Sequence, residues 1–255
     1  MIHAFLLIGQ SNMSGRGDPA DVEPIDDDRL KVLRNGRWHK MFTPVHWERR
    51  TCGVCLAESF AQAYANDHPG VEVGLIPCAD GGTSLNKWRV GGLLYDNAVM
   101  TAKLAQRTAN IAGILWHQGE SDCGDKSYPL YYDKLEKIMA GFRRDLDLED
   151  VPLLVGGLGD WLHLHPPKEP GMPNRFDNYV FINDALRRYA AEHPLTGYVD
   201  AAGLGCKPDT MHFNAAALRE FGVCYYEAFR KLEDRGRVYP EKPTMDEVDS
   251  ALELL

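Results

Sequence analysis

Short apolar runs alternate along this chain with longer amphipathic stretches, and that alternation admits few architectures. The runs His3–Ile8, Leu30–Leu33, Val71–Pro77, Ile111–His117, Pro152–Gly156 and Gly197–Asp200 read as strands. Helical patterns fill Val54–Asn66, Leu93–Ala109, Tyr128–Leu146, Asn178–His193 and Ala215–Leu232. Asp67-His-Pro69-Gly70 and His193-Pro194 mark helix ends, because proline cannot continue the preceding turn. Nearly continuous apolar strands are buried on both faces, and strands separated by helices pair in parallel through crossovers. The expected fold class is therefore α/β, a three-layer α/β/α sandwich around a mainly parallel sheet.

A chain of 255 residues suits one such domain, expected over residues 1–235, with an acidic helical extension over 236–255. Within that extension, Thr244–Leu255 follows Pro240 and Pro243 as a leucine-ended helix that packs on the body or on a partner, so an oligomer is open. Acidic residues number 37 and basic ones 28, a net charge of −9, which argues against nucleic acid as a partner. No apolar run reaches the roughly 18 residues that a membrane span needs. The first residues lack a basic segment and a small-residue cleavage site. The expected location is cytoplasmic, or secreted if a leader has been removed. Six cysteines are too few for a disulfide scaffold, and Cys52-Gly-Val-Cys55 reads as reduced thiols at a helix start.

Ligands of parallel sheets bind beyond the carboxyl ends of the strands. The segments that follow these strands are Gly9-Gln-Ser-Asn-Met-Ser-Gly15, Ala79-Asp-Gly-Gly-Thr-Ser84, Trp116-His-Gln-Gly-Glu-Ser-Asp122, Gly157-Leu-Gly-Asp-Trp-Leu-His163 and Pro208-Asp-Thr-Met-His212. They are polar and glycine-rich, and all fall on one edge of the sheet. Ser11 stands just past a strand-ending glycine, where a turn lifts its hydroxyl out of the sheet. A serine nucleophile needs a base and the base an orienting acid; Asp209 and His212, three residues apart, supply both on one face. Acyl transfer also needs preorganised donors for an oxyanion. The Gly82 amide and the Gln118 side chain qualify. Each residue alone is as well explained by capping or loop bracing; their convergence is what points to chemistry.

Gly9-Gln-Ser-Asn-Met13, Gly81-Gly-Thr-Ser84 with Trp88, Trp116-His-Gln-Gly-Glu120 and Asp209-x-x-His212 resemble the SGNH/GDSL hydrolase superfamily. Their nearest likeness is its sialate O-acetylesterase and acetylxylan esterase branch, carbohydrate esterase family six. The resemblance spans about residues 3 to 230. It implies a flavodoxin-like sandwich and a serine esterase that removes O-acetyl groups from a sugar or polysaccharide without metal or cofactor. Ser11 matches the nucleophile and His212 the base. The Ser11 and Gly82 amides and the Gln118 side chain match the oxyanion donors. Asp209 is the favoured acid because its pairing with His212 is local, and Glu120 is the alternative. Gln10, Asn12, Thr83, Trp88 and Trp161 are candidate substrate contacts, together with the proline-rich loop Leu162–Phe176. The G-x-S-x-G elbow of another hydrolase class is absent, since residue 13 is Met.

Two other classes compete. A metal-dependent hydrolase could draw on Asp160, His163, His165, Asp209 and His212, although H-E-x-x-H spacing is missing. A non-catalytic carbohydrate-binding relative would keep the fold and lose the chemistry. Arg16-Gly-Asp18 reads as a loop tied down near the site, and Gly157-Leu-Gly159 lacks the rest of a dinucleotide fingerprint.

Overall fold

The computed structural model describes residues 1–253. Leu254 and Leu255, the end of the expected C-terminal helix, lie outside the described residues. Seven strands form one sheet: β1 (Ile2–Gly9), β2 (Leu30–Arg34), β3 (Arg37–Lys40), β4 (Glu72–Pro77), β5 (Asn110–His117), β6 (Leu153–Gly156) and β7 (Thr196–Val199). Their order is β3-β2-β4-β1-β5-β6-β7, and every pairing is parallel except β2 with β3. The helices are α1 (Ser11–Ser14), α2 (Leu56–Asp67), α3 (Leu85–Trp88), α4 (Leu93–Ala105), α5 (Tyr131–Leu146), α6 (Tyr179–Glu192), α7 (Ala215–Arg230) and α8 (Met245–Glu253). The sandwich expected from the alternation is present, and the strands with the longest apolar runs, β1 and β5, lie at the sheet's centre.

The two faces carry different helix pairs. On one, Phe5 of β1 meets Phe60 of α2 at 4.8 Å and Phe229 of α7 at 5.5 Å, both edge to face. On the other, Trp116 of β5 meets Trp88 of α3 at 5.7 Å, and Tyr95 of α4 meets Phe142 of α5 at 4.4 Å. Aromatic pairs in these geometries add to the burial of their area, roughly 2–3 kcal/mol per large side chain.

β3 was not expected. Its sequence, Arg-Trp-His-Lys, has no apolar face, and only pairing with β2 across the Asn35-Gly36 turn makes it a strand. Both turn residues have positive φ, 50° and 75°. An Asn-Gly step between two short extended runs is the sequence signal that would have found it.

The C-terminal extension lies against the body. The Tyr239 ring packs tilted against His3 at 4.2 Å between centroids, Asn110 donates to the Pro240 carbonyl, and Arg37 of β3 pairs with Asp249 of α8 at 2.5 Å. Thr244 and Glu247 cap α8 reciprocally: the Thr244 amide donates to the Glu247 carboxylate and the Glu247 amide to the Thr244 hydroxyl.

Candidate active site

β1 lies between β4 and β5, where the order of connections reverses, so a crevice opens beyond the carboxyl ends of those three strands. Gly9 ends β1 with φ +133°, and a Cβ there would stand 2.1 Å from the His117 carbonyl oxygen. The chain then turns into α1, with Ser11 as its first residue. The turn after β4 lies alongside: the Asp80 amide donates to the Gly9 carbonyl at 3.1 Å.

Ser11, His212 and Asp209 are in contact. The Ser11 hydroxyl lies 3.1 Å from His212 Nε2, and His212 Nδ1 lies 2.9 Å from Asp209 Oδ2. Asp209 Oδ1 accepts the amides of Met211 and His212 at 2.9 and 3.0 Å, which fixes the carboxylate before it meets the ring. Partial burial pushes the Asp209 carboxyl upward, but the His212 hydrogen bond and those two amides outweigh it and hold it below its ordinary value. An ionised carboxylate only accepts, so the shared proton sits on Nδ1 and leaves Nε2 free to accept from Ser11.

Glu120 meets Asn12 instead of His212. Asn12 Nδ2 donates to Glu120 Oε1 at 2.5 Å and to the Met211 carbonyl at 3.2 Å, while its Oδ1 accepts the Phe213 amide at 3.1 Å. Asn12 is 1% exposed. It therefore clamps the chain on both sides of His212 and has no surface left for a substrate.

Four other expected contacts are likewise turned inward. Trp88 is fully buried and donates to Thr83 Oγ1 at 3.0 Å, and the Thr83 hydroxyl donates to the Asp80 carbonyl at 2.7 Å. Trp161 donates to the Leu204 carbonyl and packs edge to face on Phe213 at 5.0 Å. Gln10 is 3% exposed, and its Oε1 accepts from Gln118 Nε2 and the Ser121 amide. These residues build the walls of the site.

Gln118 also differs from expectation. Its side chain is fully buried, and Nε2 donates to Asp122 Oδ2 at 2.7 Å and to the Thr83 carbonyl at 2.9 Å. Both amide hydrogens have acceptors, so Gln118 braces the turn that carries Gly82. Among the described residues, the Ser11 and Gly82 amides donate to no protein acceptor.

Sequence reasoning passed over Glu48, which holds the buried Arg16 at 2.7 Å and accepts from the Cys52 thiol at 2.6 Å. Arg16 is tied down beside the site as expected. Cys55 caps α2, whose Glu58 carboxylate accepts the Cys55 amide. His163 and His165 turn to the carbonyls of Asp160 and Asp209. Among the described residues, no three His, Cys, Asp or Glu side chains gather as a metal site would require.

Fold and site together define an SGNH-type hydrolase. The model of the SASA family, described as "Carbohydrate esterase, sialic acid-specific acetylesterase", matches residues 1–231. The chain belongs to that family, and is a carboxylic ester hydrolase acting on carbohydrate. It is 27% identical over 249 residues to the Arabidopsis thaliana protein named Probable carbohydrate esterase At4g34215, covering 88% of this chain and 89% of that one. The X-ray structure of that plant protein superposes with a TM-score of 0.77 at 26% identity, over 90% of this chain and 98% of that chain. NanS matches at a TM-score of 0.71 and 18% identity, over 90% of this chain and 97% of its own. A carbohydrate acetylesterase from Xanthomonas citri matches at 0.67 and 17%, over 90% of this chain and 56% of its own. Among the described residues, no helix is long and apolar enough to cross a membrane.

Proposed function

We propose that this chain removes O-acetyl groups from a carbohydrate through an acyl-enzyme formed on Ser11. The observation that carries this reading is the unbroken hydrogen-bond chain from the Ser11 hydroxyl through His212 to Asp209. Ser11 Oγ attacks the ester carbonyl carbon while His212 Nε2 takes its proton. The carbonyl oxygen, now negative, is met by the Ser11 and Gly82 amides. Collapse of the intermediate breaks the bond to the sugar oxygen, and His212 returns the proton to it. Water repeats the sequence on the acetyl-enzyme and releases acetate. Asp209 stabilises the imidazolium in both halves and keeps the productive tautomer. The family's description and the acetylesterase among the structural neighbours support an acetylated sugar as substrate.

The test compares wild type and Ser11→Ala on 4-nitrophenyl acetate and on acetylated monosaccharides, with and without EDTA. Ser11→Ala is expected to lower kcat by about 10⁴-fold or more while the fold persists, and EDTA is expected to change nothing. Activity that survives Ser11→Ala, or that disappears with the chelator, overturns the proposal.

A further inference from the structure

A cavity of about 480 Å³ lies on the β4 side of Ser11, outside the groups that perform the chemistry. Its lining includes Trp47, Glu48, Asp80, Asn97 and Thr101. Its lining residue Asp80 is followed by Gly81, where a Cβ would stand 3.6 Å from the Ser11 Cβ and 3.3 Å from Oε1 of Glu48, another lining residue. Asp80 and Leu94 line both this cavity and the groove that runs over Gly82 and Lys87. The two depressions are therefore neighbours along the rim of the sheet.

The lining combines one exposed aromatic ring with polar groups and with aliphatic side chains, among them Leu33, Leu94 and Met100. Trp47 is 51% exposed, an unusual exposure for so large an apolar ring. The Arg34 guanidinium holds it from one side, 4.3 Å from the Trp47 ring and 4.0 Å from the Phe42 ring, and donates to the Pro44 carbonyl. The ring is thus fixed before any ligand arrives, which lowers the entropic cost of binding. Asp80, Asn97 and Thr101 also line the cavity; the Asp80 carboxylate accepts from Arg49 and the Thr101 hydroxyl donates to the Asn97 carbonyl. The buried His46 also lines it, and its ring nitrogens have no hydrogen-bond partner among the described residues. Among the described residues, the guanidinium groups of Arg16 and Arg49 are engaged with Glu48 and Asp80, whereas Arg34 has no carboxylate partner.

We propose that this cavity is a distal subsite holding a further sugar residue of the same glycan whose acetyl group lies at Ser11. The inference rests on the esterase reading for the position of the acetyl group. The subsite makes the natural substrate an oligosaccharide or polysaccharide and favours it over a free monosaccharide.

Binding separates the two claims because it needs no turnover. Xylohexaose, mannohexaose and cellohexaose, with the corresponding monosaccharides, are titrated by calorimetry into Ser11→Ala protein and into the same protein with Trp47→Ala, Trp47→Phe or Asn97→Ala. At least one hexaose is expected to bind at least tenfold more tightly than its monosaccharide. Trp47→Ala is expected to weaken that binding about tenfold, with Trp47→Phe restoring most of it and Asn97→Ala costing a smaller factor. In otherwise wild-type enzyme, Trp47→Ala is expected to lower the ratio of kcat/KM for acetylated hexaose over acetylated monosaccharide by a similar factor. No hexaose binding above the monosaccharide level, or equal losses on both substrates, overturns the subsite. Hexaose binding that depends on Trp47, in a protein whose hydrolysis survives Ser11→Ala, overturns the esterase reading alone.

Discussion

Asn12 is the residue through which the serine turn and the histidine loop are held in register. Its amide spans from Glu120 to the backbone on both sides of His212, so removing it leaves the buried Glu120 carboxylate without its donor. Asn12→Ala is expected to cost about 2–4 kcal/mol in urea unfolding, mostly from that stranded carboxylate. Adding Glu120→Gln to Asn12→Ala should recover part of the loss; a double mutant as unstable as the sum of the two singles would refute the coupling. Asp209→Asn tests a different property. An amide in that place no longer enforces the proton on Nδ1, and kcat is expected to fall about 10³–10⁴-fold with KM for a small ester little changed. A loss expressed mainly in KM would assign Asp209 to substrate binding. The grouping of Ser11, Asp209 and His212 was legible in the sequence because it depends on residue type and local spacing. The inward positions of Asn12, Gln118, Trp88 and Trp161 were not, because a residue's letter does not say which way its side chain faces.

At the scale of elements, the junction of β1 with α1 concentrates the constraint. Gly9 combines positive φ with a carbonyl oxygen where a Cβ would stand, so both backbone strain and a hard clash oppose any other residue. Gly9→Ala is expected to destabilise the protein by about 3 kcal/mol or more and to lower activity further by shifting Ser11. Thermal melts and ester hydrolysis on the same samples check this, and an unchanged melting temperature would show that the turn tolerates a side chain. The central elements could be read from sequence because β1 and β5 are apolar on both faces and α5 and α7 alternate apolar and polar residues with helical period. Boundaries drifted where capping decided them: the helix expected at Leu93–Ala109 stops at Ala105, and a turn then delivers the chain to β5. β3 was missed for a different reason. Its stability comes from its partner strand, from Trp38, which donates to Thr108 Oγ1 at 3.0 Å, and from the exposed Arg37 pair with Asp249 of α8.

Across the whole molecule, buried histidines set how the fold responds to acid. His3, at the end of the sheet away from the site, lies between Tyr64 and Tyr239, and burial pushes it down to about 4. Burial also brings His46, on the site side, down to about 4, and lowers His117 beneath the serine turn. In the unfolded chain these groups titrate near 6.5. As pH falls, the unfolded chain therefore binds protons before the folded one, and stability is lost on descending from about 6.5 towards 4. Each such site contributes at most about 1.4 kcal/mol per pH unit within that window. The urea midpoint is expected to be level above pH 7 and to fall between pH 6.5 and 4.5. His3→Gln, which keeps a partner for the Tyr64 hydroxyl but cannot take up a proton, should flatten that fall by about one proton's worth. A wild-type midpoint that stays level to pH 4.5 would mean that these imidazoles are solvated in the folded state. A His3→Gln slope identical to wild type would place the acid response on His46 and His117, at the end of the sheet that carries Ser11.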